Sequence, residues 1–106
     1  MDDVLTIYDR AVGAIAQFDR KGKTLPYTSA NGYMFSFINK ADELGIRISP
    51  VAGKAFDEKH GTGPFMSHGS KMREYISIPN EMMADEKQIR ELLYEGYNYV
   101  MSLPPK

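Results

Sequence analysis

The sequence predicts an α+β fold in which a helical layer covers one antiparallel sheet. Three observations carry this. Apolar stripes at helical spacing lie near both ends of the chain, and the stretches between them are short runs of aromatic and β-branched residues. Gly, Pro and Asn separate those runs as punctuation rather than as linkers. The element order is α-β3-α-β2-α, and the economical way to bury these stripes is a two-layer α/β sandwich with the helices on one face.

The first helix is expected between Asp2 and about Asp19, where Val4, Leu5, Tyr8, Ala11, Val12, Ile15 and Phe18 form one stripe. Asp2 and Asp3 complement its amino end, while Arg20, Lys21 and Lys23 follow its carboxyl end. Gly13 is an interior flaw that marks close packing against a sheet. Three strands in a meander follow. The first spans Leu25–Ala30, and Asn31-Gly32 supplies a turn because both residues tolerate positive φ. Tyr33–Ile38 is rich in strand formers, and Glu43–Ile48 alternates as a half-buried strand does.

Ser49-Pro50 is a helix start, with Ser as N-cap and Pro where its missing N–H costs nothing. The helix runs to about His60, with Val51, Ala52, Ala55 and Phe56 facing inward and Gly61 as its stop. Phe65–His68 and Met72–Ile78 read as two further strands. In the second, Met72, Glu74, Ile76 and Ile78 share a face. The last helix starts at the N-cap Asp85, with Gln88 completing a capping-box pattern, and presents Ile89, Leu92, Leu93, Gly96, Tyr97, Val100 and Met101 as one face.

Bulk composition narrows the function. With 106 residues, 42% hydrophobic and 25% charged, residues 1–106 are expected to form a single globular domain. The net charge of −1 gives no electrostatic reason for direct nucleic-acid binding. The absence of cysteine excludes disulfides, thiolate metal sites and Cys nucleophiles. The acidic start MDDVLTIYDR does not resemble a signal peptide, and no apolar run reaches membrane-spanning length. A cytoplasmic protein without a membrane partner is expected.

Candidate chemistry is sparse. Gly61 to Lys71 clusters glycines near a lysine, which suits an anion, but no helix begins after the lysine and the spacing is not that of a P-loop. It reads better as a helix stop followed by a hairpin. His60 and His68, with Asp57, Glu58 or Glu74, have the donor types for a metal but lack a close His-x-x-x-His spacing, so neither metal nor cofactor is expected. The carboxylate pairs Asp2-Asp3, Asp42-Glu43, Asp57-Glu58 and Asp85-Glu86 sit at helix ends and turns, where capping and solvation explain them. Ser67 and Ser70 flank His68 without a nucleophile elbow. No catalytic residues are assigned.

Tyr and Met remain. Tyr94, Tyr97 and Tyr99 occupy different sides of one helix, so a monomer core cannot bury all of them. Met82, Met83, Tyr94 and Tyr99 are therefore the interface candidates. For a small ligand, a cleft near Tyr33, Phe35, His68 and Lys71 is the candidate.

The element order and local sequences resemble the N-terminal domain of the TfoX competence-regulator family. The resemblance rests on Asn31-Gly32-Tyr33-Met34-Phe35-Ser36-Phe37-Ile38, on Glu43 to Pro50 with Ala55-Phe56, and on Gly63-Pro64-Phe65-Met66…Met72…Tyr75-Ile76-Ser77-Ile78-Pro79. It covers about Leu5 to Ser102. The chain departs from it at the first hairpin, where the family usually carries Met-Phe-Gly-Gly and Thr28-Ser29-Ala30-Asn31-Gly32 stands here. MmcQ/YjbR-like proteins are a weaker match. The chain stops at Lys106, so a stand-alone form without the regulators' C-terminal domain is expected. The resemblance implies a two-layer α/β sandwich, often self-associating, with a regulatory or adaptor role. The expected function is a non-enzymatic interaction module, a homodimer or the partner of another protein. The alternative is a small-molecule or metal-binding domain using the Tyr33–Phe35–His68–Lys71 cleft.

Overall fold

A computed structural model of the chain describes residues 3–17, 19–22, 26–67 and 69–106. Its helices are α1 (Val4–Gly13), α2 (Pro50–His60) and α3 (Glu86–Met101), and its strands are β1 (Tyr27–Ala30), β2 (Tyr33–Ile38), β3 (Leu44–Arg47), β4 (Pro64–Ser67) and β5 (Ser70–Ser77). The strands form an open, antiparallel, five-stranded sheet in the order β1-β2-β3-β5-β4. The chain is thus mixed α+β, in the expected element order, with a short 3-10 helix at Asn80–Ala84 that the sequence reading lacked. No helix is long and apolar enough to cross a membrane among the described residues.

Local chemistry sets the element ends. Asp3 Oδ1 accepts the Thr6 N–H at 2.8 Å and caps α1, which ends at Gly13 rather than near Asp19. A Cβ at Gly13 would meet nothing within 4 Å, so this glycine marks the helix end and not a close contact. Asp2 and Phe18, also assigned to this helix, lie outside the described residues, as do Lys23 and Leu25. Ser49 accepts the Ala52 N–H to cap α2, and Gly61 closes that helix in the left-handed conformation, as expected. Of the four residues expected to face inward from α2, Phe56 is buried and Ala52 half-buried. Val51, at 82% exposed, and Ala55 face out. Asp85 accepts the Gln88 N–H and caps α3.

Asn31 has two structural roles. With φ of 57° beside Gly32 at 84°, it makes the β1–β2 turn. Its Nδ2 also donates to the carbonyls of Val100 (2.8 Å) and Leu103 (2.9 Å), tying the turn to the carboxyl end of α3 and the residues just past it.

A bulge in β2 sets which aromatic goes where. Thr28 pairs with Ser36 but Ser29 pairs with Met34, so Phe35 has no partner and the alternation slips by one. Phe35 consequently packs edge-on against Tyr97 of α3, with ring centroids 6.0 Å apart. The neighbouring Ser36 bonds the Tyr8 hydroxyl of α1 at 2.6 Å and the Thr28 hydroxyl. Phe37 turns the other way and packs edge-on against Phe65 and Tyr75. Gly45 of β3 makes room for that group, since a Cβ there would lie 2.3 Å from the Phe65 ring.

The main core joins α1, α3 and the sheet through Tyr8, Phe35, Ile46, Ile76, Ile89 and Leu93. At its centre α3 meets β3 directly. A Cβ on Gly96 would stand 2.7 Å from the Arg47 carbonyl oxygen and 3.1 Å from Ile46 Cγ2.

Two predictions follow from these contacts. In an open helical site Gly→Ala gains up to about 1 kcal/mol. Gly13→Ala is expected to be neutral or stabilising. Gly96→Ala should lose about 1–3 kcal/mol, because the obstacle is backbone and cannot move cheaply. In urea, the midpoint of Gly96→Ala should fall, while that of Gly13→Ala should hold or rise. The second concerns Tyr8, whose phenol is pushed up to about 12 by burial, against the smaller opposing effect of its Ser36 and Thr28 hydrogen bonds. A folded value above the unfolded value of about 10 means that the neutral phenol is favoured by the fold. Its contribution is whole below pH 10 and lost as pH rises from 10 to 12, at about 1.4 kcal/mol per pH unit. Urea midpoints at pH 8 and pH 11 should diverge less for Tyr8→Phe than for the wild type.

Candidate functional site

Strand β5 is irregular where it passes the carboxyl end of β3. It pairs Ile76 with Pro64 but Lys71 with Met66, a register shift of several residues, and Glu74 within that stretch has φ of 68°. A left-handed glutamate inside a strand costs energy, and such backbone persists where surrounding contacts hold it.

Here the contacts are at Arg47. Its guanidinium meets Glu74 Oε2 through Nη2 at 2.6 Å and Nε at 2.7 Å, and Tyr99 Oη donates to Glu74 Oε1 at 3.0 Å. The same guanidinium lies 5.4 Å from the Tyr33 ring centroid and 5.7 Å from that of Tyr99. Burial and the Glu74 hydrogen bond push the Tyr99 phenol up. Tyr33 Oη donates to the Pro104 carbonyl at 2.7 Å, Lys106 Nζ lies 5.6 Å from the Tyr33 centroid, and the Lys106 N–H donates to the Asn31 carbonyl. The cluster is filled by the chain's own groups and clamps the last residues onto the β1–β2 hairpin.

Beside it, between α2 and β5, opens a cleft of about 420 Å³. Pro50, Gly53, Lys54, Asp57 and Glu58 line it from one stripe of α2, and Lys71, Met72, Glu74, Tyr75 and Ile76 line it from β5. The helix comes near the sheet at Gly53, where a Cβ would be in ordinary contact with Ile76 and Ile48. Lys54 and Lys71 are exposed and make no ion pair among the described residues. Asp57 Oδ1 accepts the Thr62 hydroxyl at 3.0 Å.

A second concavity, about 660 Å³, lies between the start of α1 and the 3-10 helix. Its lining is mainly apolar, from Val4, Leu5, Ile7, Met83 and Ala84. The charged residues on it are all acidic: Asp3, Asp42 and Glu81.

The residues expected to form one ligand cleft are not brought together. Lys71 lines the α2–β5 cleft, but Tyr33 lies under Arg47 and lines no part of it. Phe35 is fully buried and belongs to the core, because the β2 bulge turns it toward Tyr97; its expected role at a ligand is corrected. His68 lies outside the described residues. Among the interface candidates, Met82 and Met83 are buried at 5% and 6% exposure, a correction that follows from the unforeseen 3-10 helix folding them inward, although Met83 still floors the apolar groove. Tyr94 is exposed and its hydroxyl donates to Gln17 Oε1 at 2.8 Å. Tyr99 is half-buried in the Glu74 cluster. Among the described residues, no group of three or more His, Asp or Glu could hold a metal ion.

The Arg47–Glu74–Tyr99 cluster and the α2–β5 cleft were missed from sequence. Arg47 and Glu74 are 27 residues apart, and strict alternation along β5 gives no sign of the bulge that joins them. In comparisons with known proteins, no family model matches the chain and no curated protein matches it.

Glu74 supplies a test of the strained backbone. Elsewhere in a strand Gly is worse than Ala, but at φ of 68° the order reverses. Both Glu74→Ala and Glu74→Gly lose the Arg47 pair, and the glycine variant should be the more stable by about 1 kcal/mol in urea unfolding.

Proposed function

We propose that the protein is a non-enzymatic regulatory or protein-interaction module similar to the TfoX N-terminal domain. It acts by pairing with a second copy of itself, as a homodimer, or with another protein. The observation that supports this reading most is the groove between α1 and the 3-10 helix, apolar on its floor and acidic on its rim. Leu5, 41% exposed, offers apolar surface at its edge. A partner segment presenting apolar side chains beside Lys or Arg complements both features.

The wider reading is of a cytoplasmic single domain, built as a two-layer α/β sandwich with its helices on one face of the sheet. In support, Ser36, Ile38, Leu44, Ile46 and Ile76 fall on one side by pairing and alternation, and α1 and α3 reach that side through Tyr8 and Gly96. The net charge of −1 weighs against direct nucleic-acid binding. The TfoX resemblance rests on the hairpin Asn31–Ile38 and the Gly63–Pro79 stretch, both of which enter the sheet.

Light scattering across a concentration series tests self-association. A wild-type dimer is expected, with Leu5→Glu weakening it at least about tenfold, roughly 1.4 kcal/mol, through a charge placed in an apolar, acidic-rimmed groove. The unfolding midpoint of the diluted monomer should stay within about 0.5 kcal/mol, as for other exposed sites. A wild type that stays monomeric throughout and behaves as Leu5→Glu does would contradict self-association through this groove.

A further inference from the structure

We infer that the cleft between α2 and β5 binds a small zwitterion, a free amino acid or short peptide carrying both a carboxylate and an ammonium group. This site is separate from the interaction groove and does not depend on it.

Two departures from economical packing meet in this cleft. A short helix beside a sheet normally turns apolar residues toward it and charges toward water. In α2 the stripe lining the cleft with β5 is Pro50, Gly53, Lys54, Asp57 and Glu58, so three of its five residues are charged, while Val51 is left 82% exposed on another side. Opposite, β5 breaks its pairing with β4 and holds Glu74 at positive φ, which opens the strand where a regular one would close against the helix. Neither feature serves the core. Together they keep about 420 Å³ open, within the range of small-molecule sites, about 300–1,000 Å³.

The charges select the ligand. Glu74 is committed to Arg47 and Tyr99, so its carboxylate is already compensated. Lys54 and Lys71 have no ion pair among the described residues, and they receive the carboxylate. Asp57, held by the Thr62 hydroxyl, and Glu58 receive the ammonium. Tyr75 and Met72, both half-buried, offer apolar surface to a side chain. A simple anion meets the two helix carboxylates and a simple cation meets the two lysines, whereas a zwitterion satisfies both.

The test is thermal unfolding of the full chain with each of the twenty amino acids and a set of dipeptides. Any ligand found is then titrated alongside its deamino acid and its decarboxylated amine. A zwitterion at a hundred times its dissociation constant is expected to raise Tm by about 10 °C or more. Each half-ligand should bind at least about tenfold more weakly. Lys71→Met and Asp57→Asn, both at exposed positions, should retain the unliganded Tm and lose about tenfold or more in affinity. A flat screen would overturn the proposal. So would a deamino acid binding as tightly as the zwitterion, which makes the site a plain anion site, or both variants binding with wild-type affinity, which places the ligand elsewhere.

Discussion

The direct seating of α3 on β3 at Gly96 governs much of the rest of the structure. No side chain fits between that glycine and the Arg47 carbonyl, so the helix axis lies closer to the sheet there than any other residue permits. The approach sets the register of the whole helix. One residue further along, Tyr97 meets Phe35, the residue that the β2 bulge turns inward. Three residues past Gly96, Tyr99 reaches Glu74. The end of the helix then reaches the β1–β2 turn, where Asn31 donates to the carbonyls of Val100 and Leu103.

Arg47 links this seat to the strained strand. Its backbone carbonyl faces Gly96, while its guanidinium is held between two tyrosine rings and a carboxylate. Exposed ion pairs contribute little to stability, but this one is only about a quarter exposed on each side and is braced by Tyr99. It holds Glu74 in a conformation that the strand would otherwise abandon. Glu74 also lines the neighbouring α2 cleft, so the residues that seat α3 on the sheet adjoin that cleft through Arg47 and Glu74.

Much of the fold was legible because its signals are local. Ser49-Pro50 with Gly61, Asn31-Gly32 and Asp85 each act within a few residues, and each element they bound appears where expected. What the sequence hid is relational. A bulge is a mismatch between two strands, so neither Phe35 nor Glu74 announces it alone. The inward turn of Phe35 removed it from the expected ligand site, and the 3-10 helix did the same to Met82 at the interface. On α2, apolar periodicity pointed Val51 and Ala55 inward, but the helix is too weakly apolar for its stripe to dictate its orientation. Capping at Ser49 and the burial of Phe56 fix it instead. Among the expected ligand residues that the structure describes, only Lys71 lines a cleft, and its neighbours there come from a charged stripe of α2 that apolar periodicity does not pick out.

Native-state hydrogen exchange, read residue by residue in dilute urea, addresses the central constraint directly. If the seat of α3 on β3 holds the structure together, the amides of α3, β2 and β3 exchange only through global unfolding. Those of α2 and β4, which take no part in that seat, exchange through smaller openings. Opening of α3 at a free energy well below the global value, with the sheet still protected, would contradict the account.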